Sequence, residues 1–315
     1  MNCFLRRLDL SRLTFLLFAI LSLHLPSAIG ADSSDLYLID AHSQADSEQV
    51  LQRVITLMDQ AGIRRTLLSA RDDLTSGNIV KFAERHPDRI TASVRTKSGA
   101  YQKNLAGYYK MLESDVGSGQ FGAISELLMY HAKKGKKAPE IVVYPNDKRV
   151  QAALTLVKRK RWPLVVHIEF ASLSEGEKIK YMEQLEAMLS QNPDHPFMMI
   201  HMGQLRSGDV QRLIETHKNV YFMTSHTNPV VISEANQPWT PMFDGDVLAR
   251  EWKELVVKYP DRFVLALDNV WPEHWGEFYL QEVEYWRKAF AALPREVAHA
   301  IAHENAERLW KISKR

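Results

Sequence analysis

Imidazoles and carboxylates recur at widely separated points of this chain, each time against an apolar background. One apolar segment runs into Asp40-Ala41-His42-Ser43-Gln44. Others carry Glu126 within Ile124-Ser125-Glu126-Leu127-Leu128, and His167 and Glu169 within Val165-Val166-His167-Ile168-Glu169. His201 lies in Ile200-His201-Met202-Gly203, His226 follows Thr224-Ser225, and Asp268 closes Leu265-Ala266-Leu267-Asp268. A buried ionisable group is costly unless it is paired or bound to a metal. A single one reads as a satisfied core histidine; several at equivalent points read as a site. Imidazole nitrogens together with carboxylate oxygens suit zinc or a similar divalent ion with an open position. Such an ion acidifies bound water to a pKa of about 7 and polarises a carbonyl under attack. A neighbouring carboxylate then serves as general base, and an imidazole steadies the developing oxyanion.

These residues need elements that bring them to one place. Eight short apolar runs read as strands: 36–40, 65–70, 90–94, 122–129, 163–169, 196–202, 220–225 and 263–269. Most are near-continuous rather than alternating, as expected of strands covered on both faces. Helical patterns separate them, at 48–60, 150–157, 180–189 and 247–257, and the stretch from Gly276 onward reads as helical throughout. Strands alternating with helices in this way predict a single α/β domain, a (β/α)8 barrel of the TIM type, over residues 31–315. A doubly wound open sheet normally carries a glycine-rich phosphate turn after its first strand; Ala41-His42-Ser43-Gln44 contains no glycine. In a barrel, residues at strand C-termini converge at one mouth. His42 and Gln44, two apart, share a face of their strand, as do His167 and Glu169.

At this level the chain resembles the amidohydrolase-related family of the metal-dependent hydrolase superfamily, over essentially the whole of residues 31–315. Leu38-Ile39-Asp40-Ala41-His42 is similar to the family's first-strand motif Asp-x-His-x-His. The segments ending at His167 and at His201-Met202-Gly203 resemble its fifth and sixth strands. Leu265-Ala266-Leu267-Asp268 resembles its eighth, and Glu304-Asn305-Ala306-Glu307-Arg308-Leu309 its closing helix. The resemblance implies a barrel holding one or two divalent ions, with hydrolysis of amide, lactone or ester bonds or decarboxylation of aromatic acids. It implies His42, His167 and Asp268 as metal ligands, Asp268 also as proton acceptor, and His201 as a catalytic group or a further ligand. One divalent ion is expected, zinc first and manganese as the alternative.

Gln44 departs from the pattern, because it stands where the family has its second histidine. Three readings follow. Gln44 binds weakly through its amide oxygen, which is a poorer ligand than imidazole; Glu126 completes a single-metal site; or the metal is lost and the barrel binds a ligand without catalysis. His226, Trp271 and Trp275 are candidate substrate contacts near the mouth. Glu169 reads as a partner that orients a ligand. His131 falls on a loop and reads as a surface or packing residue.

Composition narrows the partners. The chain has 315 residues with 40 Lys+Arg against 38 Asp+Glu. The surplus lies in residues 1–30, where Arg6, Arg7 and Arg12 face only Asp9. The rest is balanced, which gives no general field for nucleic acid. The basic start, the apolar run 13–25 and Ala28-Ile29-Gly30 read as a signal peptide cleaved before Ala31. The expected protein is therefore exported, periplasmic or secreted, and has no membrane association beyond export. The lone cysteine, Cys3, lies in that leader, so disulfides and thiol catalysis are excluded from residues 31–315. The expected partner is a small carbonyl-containing molecule.

Overall fold

A computed structural model describes residues 36–135 and 138–313. The proposed leader and its cleavage point lie outside the described residues. The strands are β1 (Leu38–Ala45), β2 (Ile63–Ala70), β3 (Ile90–Val94), β4 (Ala123–Ile124), β5 (Leu127–His131), β6 (Ile141–Val142), β7 (Leu164–Ile168), β8 (Phe197–Met199), β9 (Val220–Met223), β10 (Phe243–Asp244), β11 (Val247–Leu248) and β12 (Phe263–Val264). The helices are α1 (Glu48–Ala61), α2 (Ser76–Arg85), α3 (Gly99–Gln102), α4 (Ala106–Gly117), α5 (Lys148–Lys160), α6 (Glu175–Gln191), α7 (Ser207–Thr216), α8 (Pro229–Glu234), α9 (Arg250–Lys258), α10 (Glu277–Ala291), α11 (Arg295–His299) and α12 (Asn305–Trp310). Among the described residues no helix is long and apolar enough to cross a membrane.

All but β10 and β11 form two curled sheets, β1-β2-β3-β4 and β12-β9-β8-β7-β5-β6, parallel except for the short antiparallel β6. Backbone hydrogen bonds cross from β1 to the segment after β12: Ala41 N donates to Leu265 O at 3.0 Å, and Asp268 N donates to His42 O at 2.8 Å. On the other side β4 pairs with β3 and β5 with β7, and only Ser125 and Glu126 separate β4 from β5. The strand expected at 122–129 is thus divided at its carboxylate.

Alternation along the strands explains the two cores. Ile39, Ala41, Leu67, Ala123, Val165, Met198, Met223 and Val264 pack together with Leu309 and Trp310 of α12 in one cluster. Their chain neighbours Leu38, Leu68, Ile124, Leu164, Phe197, Phe222 and Phe263 pack in the other, against the helices. The parallel strands are largely apolar on both faces because each face meets a core.

Helix α1 shows how the sequence sets its elements. Ser47 caps it by accepting from Val50 N, and Val50, Leu51, Val54, Leu57 and Met58 form its buried stripe. Gly62 ends it at φ +67°, and a Cβ there would lie 2.2 Å from Arg287 Nη2. Arg287 needs that space because it donates to the carbonyls of Leu36, Ala61 and Gly62. The last turn of α5 carries Lys158, Arg159 and Lys160, cations that complement the helix dipole at its C-terminus.

Two elements differ from the sequence reading. Val247 and Leu248 do not begin α9 but pair with Phe243–Asp244 as a hairpin around Gly245, whose φ is +59°. The C-terminal region is also not one helical run, since Pro294 follows a break after α10.

Candidate metal centre

The polar residues at the strand ends meet around Glu126 and Asp268. Gln44 Nε2 donates to both, at 3.1 Å to Glu126 Oε1 and 2.9 Å to Asp268 Oδ1. His42 Nε2 lies 3.2 Å from Asp268 Oδ1 and 3.6 Å from Glu126 Oε1. It makes no aligned hydrogen bond and is a buried polar atom without a partner. His167 bonds Glu126 through Nδ1 and Glu169 Oε1 through Nε2, the latter at 3.1 Å. His201 Nε2 and His226 Nε2 stand 3.5 and 3.6 Å from Asp268 Oδ2.

Backbone geometry aims these groups. In β1 the register slips between Asp40 and Ser43, a bulge that adds one residue to the strand. Asp40 braces it by accepting from Ser43 Oγ at 2.6 Å, from His42 N and from Leu267 N. Burial pushes the Asp40 carboxyl up to about 6, against those three donors. His201, His226 and Asp268 all take left-handed backbone conformations, with φ of 55°, 58° and 55°. Such conformations cost non-glycine residues roughly 1–2 kcal/mol each and gather at functional sites. Ser225 Oγ accepts from His201 N and lies in hydrogen-bond contact with His201 Nδ1 at 3.0 Å, which fixes the ring. Burial, with His226 and His167 nearby, holds His201 well below the usual imidazole range.

Burial opposes charge on His42, but the Asp268 and Glu126 carboxylates push its imidazole up to about 9. For Glu126, burial favours the proton and is outweighed by Lys97 and His167, which hold the carboxyl well below its ordinary range. Asp268 is depressed likewise, with His42 and His226 overcoming burial and the Glu126 charge.

Two ligand sets share Glu126: His42 with Glu126 and Asp268, and Glu126 with His167 and His201. Within each, one ligand atom per residue lies within 4.8 Å of the others. The expected His42, His167 and Asp268 are therefore joined through Glu126 rather than forming one such set themselves. Two further sets, His201 with His226 and Asp268, and His131 with His167 and Glu169, border them. His201 and His226 stack at 4.2 Å with their planes 7° apart, a poor arrangement for both to point at one ion. Gln44 presents its amide nitrogen; turning the amide would set Oε1 against two carboxylates unless a cation lay between.

Trp275 is not a ligand contact. It is fully buried, and its Nε1 supports the Gln44 carbonyl at 3.0 Å. Trp271 lies beneath the Arg71 guanidinium at 3.6 Å. Glu169 does meet His167, and it also accepts from Lys134 Nζ at 2.7 Å. His131 is half-buried and packs at the end of β5 rather than in a loop, 5.4 Å from the His167 ring. Three residues outside the expected set border the cluster. Lys97 grips Glu126. Trp239 lies 4.8 Å from both the His201 and His226 rings, and Lys134 lies over Trp239. Lys134 and Trp239 come from the two long segments after β5 and β9, where a barrel carries specificity.

An α/β fold with histidines and acids gathered at the C-terminal ends of its parallel strands has its candidate site where barrel proteins carry theirs. The model of the amidohydrolase family (Amidohydro_2) matches residues 138–312, more than half of the chain, and the chain belongs to that family. No curated protein matches it in sequence. Among solved structures it is similar to 5-carboxyvanillate decarboxylase from Sphingomonas paucimobilis, at 14% identity, 88% of this chain, 100% of that one and a TM-score of 0.55. An amidohydrolase from Burkholderia multivorans with bound zinc matches at 9% identity, 88% and 100% coverage and 0.54. A TIM-barrel protein from Bordetella bronchiseptica matches at 14% identity, 88% and 99% coverage and 0.55. At these identities the likeness is one of fold.

Proposed function

We propose that this chain is an exported, metal-dependent hydrolase on a (β/α)8 barrel, acting on a small amide, lactone or ester. The observation that carries the reading is His42 Nε2, a buried nitrogen with no hydrogen-bond partner beside two buried carboxylates. That donor set, one imidazole and two carboxylates with His167 and His201 adjacent, fits zinc or manganese. A divalent ion there supplies Lewis acidity toward a carbonyl and acidifies water. His42, Asp268 and Glu126 would hold it. Asp268 takes the proton from the attacking water through one oxygen. With Ser225 Oγ as the donor to its Nδ1, His201 would present Nε2–H toward the oxygen on which charge develops. Trp239 covers the His201–His226 pair and limits water.

Lys134, paired with Glu169, lies over Trp239 and sets a charged group beside a flat apolar one at the edge of the cluster. That pairing favours decarboxylation of a planar aromatic acid as a second reading. Export rests on the sequence of residues 1–30.

Elemental analysis of the purified chain tests the proposal, with a rate screen over lactones, amides, esters and aromatic acids in added zinc or manganese. About one ion per chain is expected, with chelation lowering Tm and abolishing turnover, both restored by the metal. A chain that takes up neither ion and turns over none of these substrates would reject the reading.

A further inference from the structure

The residue that grips the shared carboxylate is a lysine from the loop after a strand that carries no metal-ligand motif. Lys97 follows β3, and its Nζ pairs with Glu126 Oε1. Its side chain is 27% exposed and that of Glu126 fully buried, so the ammonium enters from the mouth. The loop holding it is built rather than loose. Arg95 Nε donates to Lys97 O at 3.0 Å, and Arg95 Nη1 donates to Leu74 O at 3.1 Å. Thr96 Oγ1 donates to the Glu126 backbone carbonyl, and Ser98 caps α3 by accepting from Tyr101 N. Consecutive residues thus hold Glu126 by its main chain and its side chain.

Glu126 is the carboxylate common to two ligand sets. A carboxylate so placed would bridge two ions. Here Oε1 already receives the Lys97 ammonium and the Gln44 amide. We infer that Lys97 serves as a built-in second cation and, with Gln44, restricts this centre to one divalent ion. Charge supports the same limit. Of the buried carboxylates, Glu126 pairs with the Lys97 ammonium and Glu169 with that of Lys134, while Asp268 faces Gln44 and histidines. A second divalent ion would add two further positive charges beside those ammonium groups and out of water, which is costly.

The inference rests on the metal-centre reading, and its test separates the two. Metal-stripped full-length protein is titrated with zinc alone, with stoichiometry read by calorimetry and by elemental analysis after gel filtration. The natural chain is expected to take one zinc, Lys97→Met two, and Lys97→Arg, which keeps the charge, one. Lys97→Gln serves in place of Lys97→Met if that variant does not fold. Two zinc ions in the natural chain would overturn the inference and leave the metal reading standing. So would a single zinc of unchanged affinity in both Lys97→Met and Lys97→Gln. Zinc in Lys97→Met but none in the natural chain would support the lysine as a cation substitute while rejecting the metal reading. No zinc in any variant would overturn both.

Discussion

Asp268→Asn is expected to lower kcat/KM by about 10³-fold or more, within the range for losing a general base, and to strip most of the metal. Both carboxylate oxygens are engaged. Oδ1 faces His42 Nε2 and Gln44 Nε2, and Oδ2 faces the His201 and His226 rings. An asparagine keeps the shape but presents one neutral oxygen and cannot take a proton. It also suits the backbone, because Asp268 sits at φ 55°, a conformation that asparagine visits as readily as aspartate. Loss of function can therefore be separated from loss of fold, which Asp268→Ala would confuse. The measurements are metal content, Tm, and rate on whichever substrate the screen yields. A variant within tenfold of the natural rate, with its metal retained, would mean that Asp268 neither holds the ion nor moves the proton.

What the sequence made legible follows from contrast. Charged residues at the ends of apolar runs stand out, and His42, Gln44, Glu126, His167, His201, His226 and Asp268 all enter one cluster. The strands stand out for a related reason, since both faces meet a core. Lys97, Lys134 and Trp239 gave no such contrast. Lysines in polar segments look like solvated surface, and only the folded path of a loop brings an ammonium onto a buried carboxylate. Trp275 misled in the other direction. Its place soon after Asp268 suggested the mouth, but the chain turns inward and puts its ring behind β1. Helix α9 starts late because Gly245 permits a tight hairpin that claims Val247. A hydrophobic period cannot distinguish a helix start from a half-buried strand of two residues.

Trp275→Ala is expected to destabilise the protein by about 3–5 kcal/mol, the usual cost of truncating a buried tryptophan. The indole is fully buried and stacks on Tyr279 with ring centres 5.3 Å apart. Its loss also leaves the buried Gln44 carbonyl without the Nε1–H donor, which adds about 1 kcal/mol. Tm should fall by about 10 °C for a chain of this size. Trp275→Phe keeps a ring but not the donor and should lose much less, so the pair apportions cavity from hydrogen bond. The effect reaches the chemistry along a short path. Gln44 N is held by Asn269 O at 2.8 Å and Gln44 O by Trp275, which together fix the amide that bridges Glu126 and Asp268. With one of those supports gone, the carboxylates lose their spacing, and zinc affinity should drop even at temperatures where Trp275→Ala stays folded. Denaturant unfolding and zinc titration of the three proteins check both parts. A loss below about 1 kcal/mol for the alanine variant, with zinc affinity unchanged, would show that the indole neither fills the space behind β1 nor steadies the metal centre.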